Sequence, residues 1–346
     1  MSVNLDIVAA TFRRAADQDF AGSPHWSFLA RQIASDQELL EIAAVARPGH
    51  FPPYLLLAAV HQLVLEGEAP ELEPFHPSVG GNRAPDDDFF LAFRDCVLRH
   101  RDGLASVVAR RHVNKTVLRR CACLRPLLIE AARRLEAERV HLIDIGCSAG
   151  HNLLLDRWGM IYEPGPRAGP ADAPVTVRTE LRGGTPPVDG MPEIVERIGL
   201  DLDRIDMSDA DDRTWILGNL YPSDTDFDIT LRAAEELLHS PPTIVIGDAA
   251  EMLPKTIAAL DRSVPVVLMH SMMIHNLNTR QRSELFRGTS EVARDRRIAR
   301  ISFELTLEGE ACLALAVEDI LQSTPVGRAD ADATWVSWDG LPGCID

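Results

Sequence analysis

From residue 140 onward the chain alternates short β-branched runs with helical ones, and this pattern restricts the fold more than any other feature. Strand-like apolar runs lie at 140–145, 194–202, 243–246, 264–269 and 298–304. Between them, 151–158, 228–238, 250–260 and 279–293 carry apolar residues at helical spacing. Alternation of this kind predicts an α/β fold with a doubly wound, mainly parallel sheet. Runs at 312–317 and 334–338 add late antiparallel strands. The segment of about 159–193 is rich in Pro and Gly, holds one strand-like run at 175–181, and reads as an insertion.

The preceding region reads as helical, giving a helical N-terminal domain over 1–135 and an α/β domain over 136–346. Apolar residues recur at helical spacing from Phe28 to Val45, and Arg47-Pro48-Gly49 ends that segment. Pro52-Pro53 opens a further helix through Leu65, and residues 67–88 read as a long loop. Helical patterns return at 89–108 and 116–135, where Pro126 predicts a kink or break near Leu124 or Arg125.

Composition excludes several classes. The 346 residues are 46% apolar and 25% charged, ordinary values for a folded chain. No apolar run approaches the roughly 18 residues of a membrane helix, and the N-terminus lacks a signal pattern, so a cytoplasmic protein is expected. Six cysteines without a CxxC pair argue against a disulfide framework or a metal site. Cys121 and Cys123, two apart on an expected helix, point in different directions. A net charge of −17 disfavours nucleic acid as a partner. Residues 94–139 hold twelve basic and five acidic side chains, which read as solvated helix faces or a local anion site.

The stretch that carries chemistry runs from Val140 to Asn152. An apolar strand ends in Asp144, turns through Gly146-Cys147-Ser148-Ala149-Gly150, and enters an expected helix. Gly146 permits backbone angles closed to other residues, and Ser148, Ala149 and Gly150 let the chain pass close to a ligand. In an open α/β sheet such a turn lies at the carboxyl ends of the strands, where ligands bind. A phosphate-binding loop would need Gly-Lys-Ser/Thr, which is absent, and the dinucleotide pattern G-x-G-x-x-G is not met. The turn resembles the acid-x-Gly-x-Gly-x-Gly loop of class I S-adenosylmethionine-dependent methyltransferases, with Ser148 in place of the middle glycine.

Later strand ends fit that resemblance. Asp201 closes the next core strand and is the candidate for ribose hydroxyls, with Glu180 as rival, and Asp248 closes another strand as the candidate for the adenine amine. His270, Ser271 and His275 follow the fourth strand and are candidates for general base or substrate contact. A bulky residue at Gly150 is expected to abolish donor binding while leaving the fold largely intact.

The chain as a whole resembles a bacterial family of unknown function, DUF2332. The resemblance rests on Gly146-Cys-Ser-Ala-Gly150, Asn152-Leu-Leu-Leu-Asp156-Arg157-Trp158 and Arg197-Ile-Gly-Leu-Asp201-Leu. It continues through Tyr221-Pro222, Gly247-Asp248-Ala249 and His270-Ser271. It implies a Rossmann-like methyltransferase sheet behind a helical N-terminal region, and no established substrate. Where the family pattern carries a Thr-Asn-Glu run before the arginine matching Arg120, this chain reads Asn114-Lys115-Thr116-Val117-Leu118-Arg119-Arg120, and His151 replaces an apolar residue. The expectation is therefore an S-adenosylmethionine-dependent enzyme acting on a small molecule, with a non-catalytic binding module as the alternative. Arg119 or Arg120 is the candidate to hold an acidic substrate group.

Overall fold

A computed structural model describes residues 4–223, 226–274, 277–306, 309–317 and 319–339. The chain divides into two units, one of residues 1–116 with 206–228, the other of 117–205 with 229–346. The first is helical, with α1 (Leu5–Asp17), α2 (Pro24–Ile33), α3 (Gln37–Ala43), α4 (Pro52–Leu65), α5 (Asp87–Arg99) and α6 (Arg101–Arg110). The segment expected as one helix over 28–45 is two, because the Asp36 carboxylate accepts the Leu39 amide and starts α3. A later helix, Ala210–Gly218 (α8 in chain order), joins this unit, capped by Asp209. His61 of α4 is fully buried and bonds the Gly218 and Leu220 carbonyls at 3.2 and 3.0 Å.

The second unit begins with α7 (Cys121–Arg134) and holds an eleven-stranded sheet. Its strands are β1 (Arg139–Ile145), β2 (Gly159–Glu163), β3 (Arg167–Ala168), β4 (Thr176–Gly183), β5 (Glu193–Asp201) and β6 (Thr243–Ile246). They continue with β7 (Val266–Ser271), β8 (Ile298–Leu305), β9 (Ala311–Val317), β10 (Thr324–Ala329) and β11 (Trp335–Trp338). The order across the sheet is β3-β2-β4-β11-β10-β9-β8-β7-β1-β5-β6. Strands β6-β5-β1-β7-β8 run parallel. From β8 to β11 the pairing is antiparallel, so the sheet is mixed although most of its pairings are parallel. The presumed insertion supplies three strands at the far edge instead of one.

Helices α9 (Phe227–His239), α10 (Ala249–Ala259) and α11 (Thr279–Ala293) complete the alternation. Ile143, Ile145, Leu200, Leu268 and Ile298 form one buried cluster with Leu253 and Ile257 of α10 and Leu285 of α11. Side chains alternate along a strand, so Leu142 and Asp144 face the opposite side. There α7 packs on β7, β8, β9 and β4. Pro126 does not break α7. The carbonyl of Ala122, which lacks its helical partner because Pro126 has no N–H, accepts the Tyr162 hydroxyl at 2.6 Å. No helix among the described residues is long and apolar enough to cross a membrane.

Candidate functional site

Five strand ends come together where the parallel block meets its loops, and β1 lies at their centre. Asp144 is the penultimate residue of β1 and only 1% exposed, and its Oδ2 has no hydrogen-bond partner. Burial, and then the neighbouring Asp201, push its carboxyl well above the usual range. The following loop leaves the strand through Gly146 (φ +75°), Ser148 (φ +51°) and Gly150 (φ +88°). The Gly146 amide bonds the Leu200 carbonyl at 2.8 Å, so the loop stays tied to β5.

Ser148 holds a backbone conformation that favours glycine, and Asp201 is what holds it there. The Ser148 amide donates to Asp201 Oδ2 at 2.7 Å. Burial raises the Asp201 carboxyl, and the Ser148 amide partly offsets that rise. Asp201 therefore organises the loop, and its Oδ1 accepts a long contact from the Asp203 amide at 3.3 Å. A Cβ on Gly146 would lie 2.6 Å from Met273 Cγ, and one on Gly150 would lie 2.7 Å from Pro242 Cγ. Both glycines are thus required by packing within the protein as well as by their φ angles. The expectation that a bulky Gly150 leaves the fold intact is corrected accordingly, since the Pro242 ring cannot yield as a flexible side chain can.

The helix expected over 151–158 is instead a single 3-10 turn, His151–Leu154. Carbonyls that a helix would pair internally are taken by tertiary donors. The Trp158 indole bonds His151 O at 3.2 Å, Arg197 bonds Leu153 O at 2.6 Å, and Arg125 bonds Asp156 O at 3.1 Å. No helix N-terminus is offered to an anion here.

The remaining candidates separate. Asp248 is exposed and caps α10 through the Ala250 amide at 2.8 Å, one residue beyond Gly247, whose amide bonds Asp201 O. Glu180 lies on β4, with five strands between it and β1, and pairs with Arg182, so it is remote from these strand ends. His270 shares its face of β7 with Leu268, toward Phe286 of α11. Its Nδ1–H donates to Glu304 Oε1 at 2.7 Å, and its Nε2 accepts from Arg300 at 3.4 Å, so both nitrogens are engaged. Ser271 faces the other side, that of Asp144, with its hydroxyl oxygen buried and unpartnered. His275 lies outside the described residues.

Arg120 stands in the 3-10 turn before α7 and donates to Ala331 O at 3.0 Å, with its guanidinium 5.5 Å from the Phe303 ring. Cys121 bonds Asn152 Oδ1 at 3.5 Å, and burial pushes its thiol and that of Cys123 strongly upward. Among the described residues, one group of three potential metal ligands occurs, Asp209, Asp211 and Asp212; it caps α8 and pairs with Arg111. Sequence reasoning missed Glu304 and Met273. A glutamate near the end of a strand and a methionine after one carry no local signal of a role.

The arrangement offers two carboxylates at adjacent strand ends and an orphaned hydroxyl. Beside them lie Leu202 and Ile246, 64% and 42% exposed at the ends of β5 and β6. A group that is cationic at one end and flat and apolar at the other matches this chemistry. No curated protein matches the chain. A family model described as an uncharacterized protein conserved in bacteria matches residues 9–338. The chain therefore belongs to the DUF2332 family.

Proposed function

We propose that the protein binds S-adenosylmethionine at the carboxyl ends of β1 and β5 and transfers its methyl group to a small molecule. The observation that carries this reading is Asp144, whose buried Oδ2 has no partner beside Asp201. Their strands lie in the order β6-β5-β1-β7-β8, which reverses direction between β1 and β7, as in Rossmann-like sheets. Orphaned buried carboxylates are costly, and a cationic ligand group relieves that cost.

S-adenosylmethionine, when bound, supplies an electrophilic methyl on a sulfonium. The chain's own residues bind and orient. Asp144 holds the ammonium end. Asp201 keeps lone pairs for the ribose hydroxyls while fixing Ser148. Leu202 and Ile246 cover the base, and Asp248 accepts from its amine. In-line methyl transfer depends chiefly on placing the two reactants, so a strong base is not required. The net charge of −17 favours a small acceptor over nucleic acid. Arg120 donates to Ala331 O and lies against Phe303, which anchors the chain before α7. The five described cysteines are unpaired, which fits a reducing cytoplasm.

A second reading, a binding module without catalysis, is favoured by one observation: both nitrogens of His270 are occupied. Isothermal titration with S-adenosylmethionine and S-adenosylhomocysteine, with NAD as control, tests the cofactor. Saturable binding of the first two alone supports the proposal, and binding of NAD alone defeats it. Turnover across a panel of amine and hydroxyl acceptors separates the enzyme from the module.

A further inference from the structure

Glu304, near the end of β8, accepts from His270 and from the Met273 and Ile274 amides among the described residues. Its Oε1 accepts His270 Nδ1–H at 2.7 Å, the Met273 amide at 3.0 Å and the Ile274 amide at 3.2 Å, and Oε2 shares the last at 3.2 Å. Between these donors Met272 holds φ +56°, a conformation that L side chains resist, while its amide bonds Phe303 O at 2.8 Å. Such a residue persists only where its surroundings fix it several times over. Several donors converging on one carboxyl group suit that task.

The turn thus held reaches the β1 loop. Met273 lies against Gly146 so closely that a Cβ there would stand 2.6 Å from Met273 Cγ. Gly146 follows Asp144 by two residues; its amide is bonded to Leu200 of β5, while the position a Cβ would take faces Met273. Asp201, Leu202 and Ile246 belong to β5 and β6, on the side of β1 away from β7. The turn therefore reaches the glycine two residues beyond Asp144.

We infer that Glu304 is a positioning residue for the cofactor: through the Met272–Ile274 turn it fixes the Gly146 end of the site, where the amino-acid portion of S-adenosylmethionine is held. The inference rests on the cofactor reading above. It acts through Met273 and not by touching the ligand. His270 is the second support of the same turn, not a base.

The test compares S-adenosylmethionine with methylthioadenosine, which lacks the amino-acid portion, by titration of wild type and Glu304→Gln. The expected result is a loss of at least about tenfold in affinity for the first and a change within about twofold for the second. Faster hydrogen exchange at the Met273 and Ile274 amides accompanies it. A residue that only stabilised the fold would weaken both ligands alike, and that result, or unchanged affinity for both, overturns the role. Met273→Ala, which leaves the Glu304 network in place, is the second variant and shows the same ligand split. Wild type that binds neither ligand overturns the cofactor reading and this role with it. Wild-type binding with an indifferent Glu304→Gln overturns the role alone.

Discussion

Asp144 burdens the second unit, because a carboxylate oxygen buried without a partner opposes folding unless the group holds a proton or a cation. Its raised folded-state pKa means that stability from this group is fully present below the unfolded value of 3.8. That contribution is lost as pH rises toward the folded value. Asp144→Asn removes the charge and keeps the shape. The unliganded variant is therefore expected to melt a few degrees higher at pH 7.5, the shift that about 1 kcal/mol produces in a chain of this size. Its affinity for S-adenosylmethionine falls at least about tenfold over the same comparison. Differential scanning fluorimetry checks the first effect, and a lower melting temperature would contradict the account of Asp144. Gly150 behaves otherwise, since Pro242 fills the space where its Cβ would stand, and a larger residue there disturbs packing before it disturbs a ligand.

Helix α7 illustrates why local pattern reads some elements and misreads others. Pro126 marks a break by its own chemistry, yet Tyr162, 36 positions later on β2, supplies the missing donor. Tyr162→Phe should cost about 1–3 kcal/mol in urea unfolding, because the Ala122 carbonyl is left buried and unpaired. Adding Pro126→Ala restores an amide at that position and should recover part of the loss, whereas simple additivity would refute the coupling. Strands were legible where Val, Ile and Leu cluster in a short run: residues 140–145 and 194–202 correspond to β1 and β5 within a residue or so. The helix expected at 151–158 was not, because Arg125, Arg197 and Trp158 take its carbonyls, and no short window contains all three. Strand β10 was hidden by Pro325 and Gly327, where its register with β9 shifts.

Across both units, buried histidines set the response to acid. Burial lowers His61 to about 3 and His76 and His151 to about 4, each below the ordinary 6.5. A depressed histidine contributes stability that is present above pH 6.5 and lost as pH falls toward the folded value, by up to about 1.4 kcal/mol per pH unit for each. Asp144 and Asp201 act in the opposite sense, so the histidine contribution is read in the Asp144→Asn, Asp201→Asn background, where both opposing charges are removed. Denaturant unfolding of that double variant should give a smaller free energy at pH 5 than at pH 7, and an equal or larger one would contradict this account of the histidines.

Asp144, Gly146, Ser148, Gly150 and Asp201 were readable as a motif because strand, turn and acid are contiguous or close in the chain. Asp201 was favoured over Glu180 from the sequence alone, and the strand order sets β5 beside β1 and β4 far from it. The roles of Glu304 and Met273 required the register of β7 against β8, which residues 30 positions apart do not reveal.

The most direct measurement is diffraction from crystals grown with S-adenosylhomocysteine. The account predicts ligand density with the amino group on Asp144, the ribose on Asp201, and the base over Leu202 and Ile246. Density elsewhere on the molecule, or none at saturating ligand, would contradict the assignment of these strand ends to a cofactor.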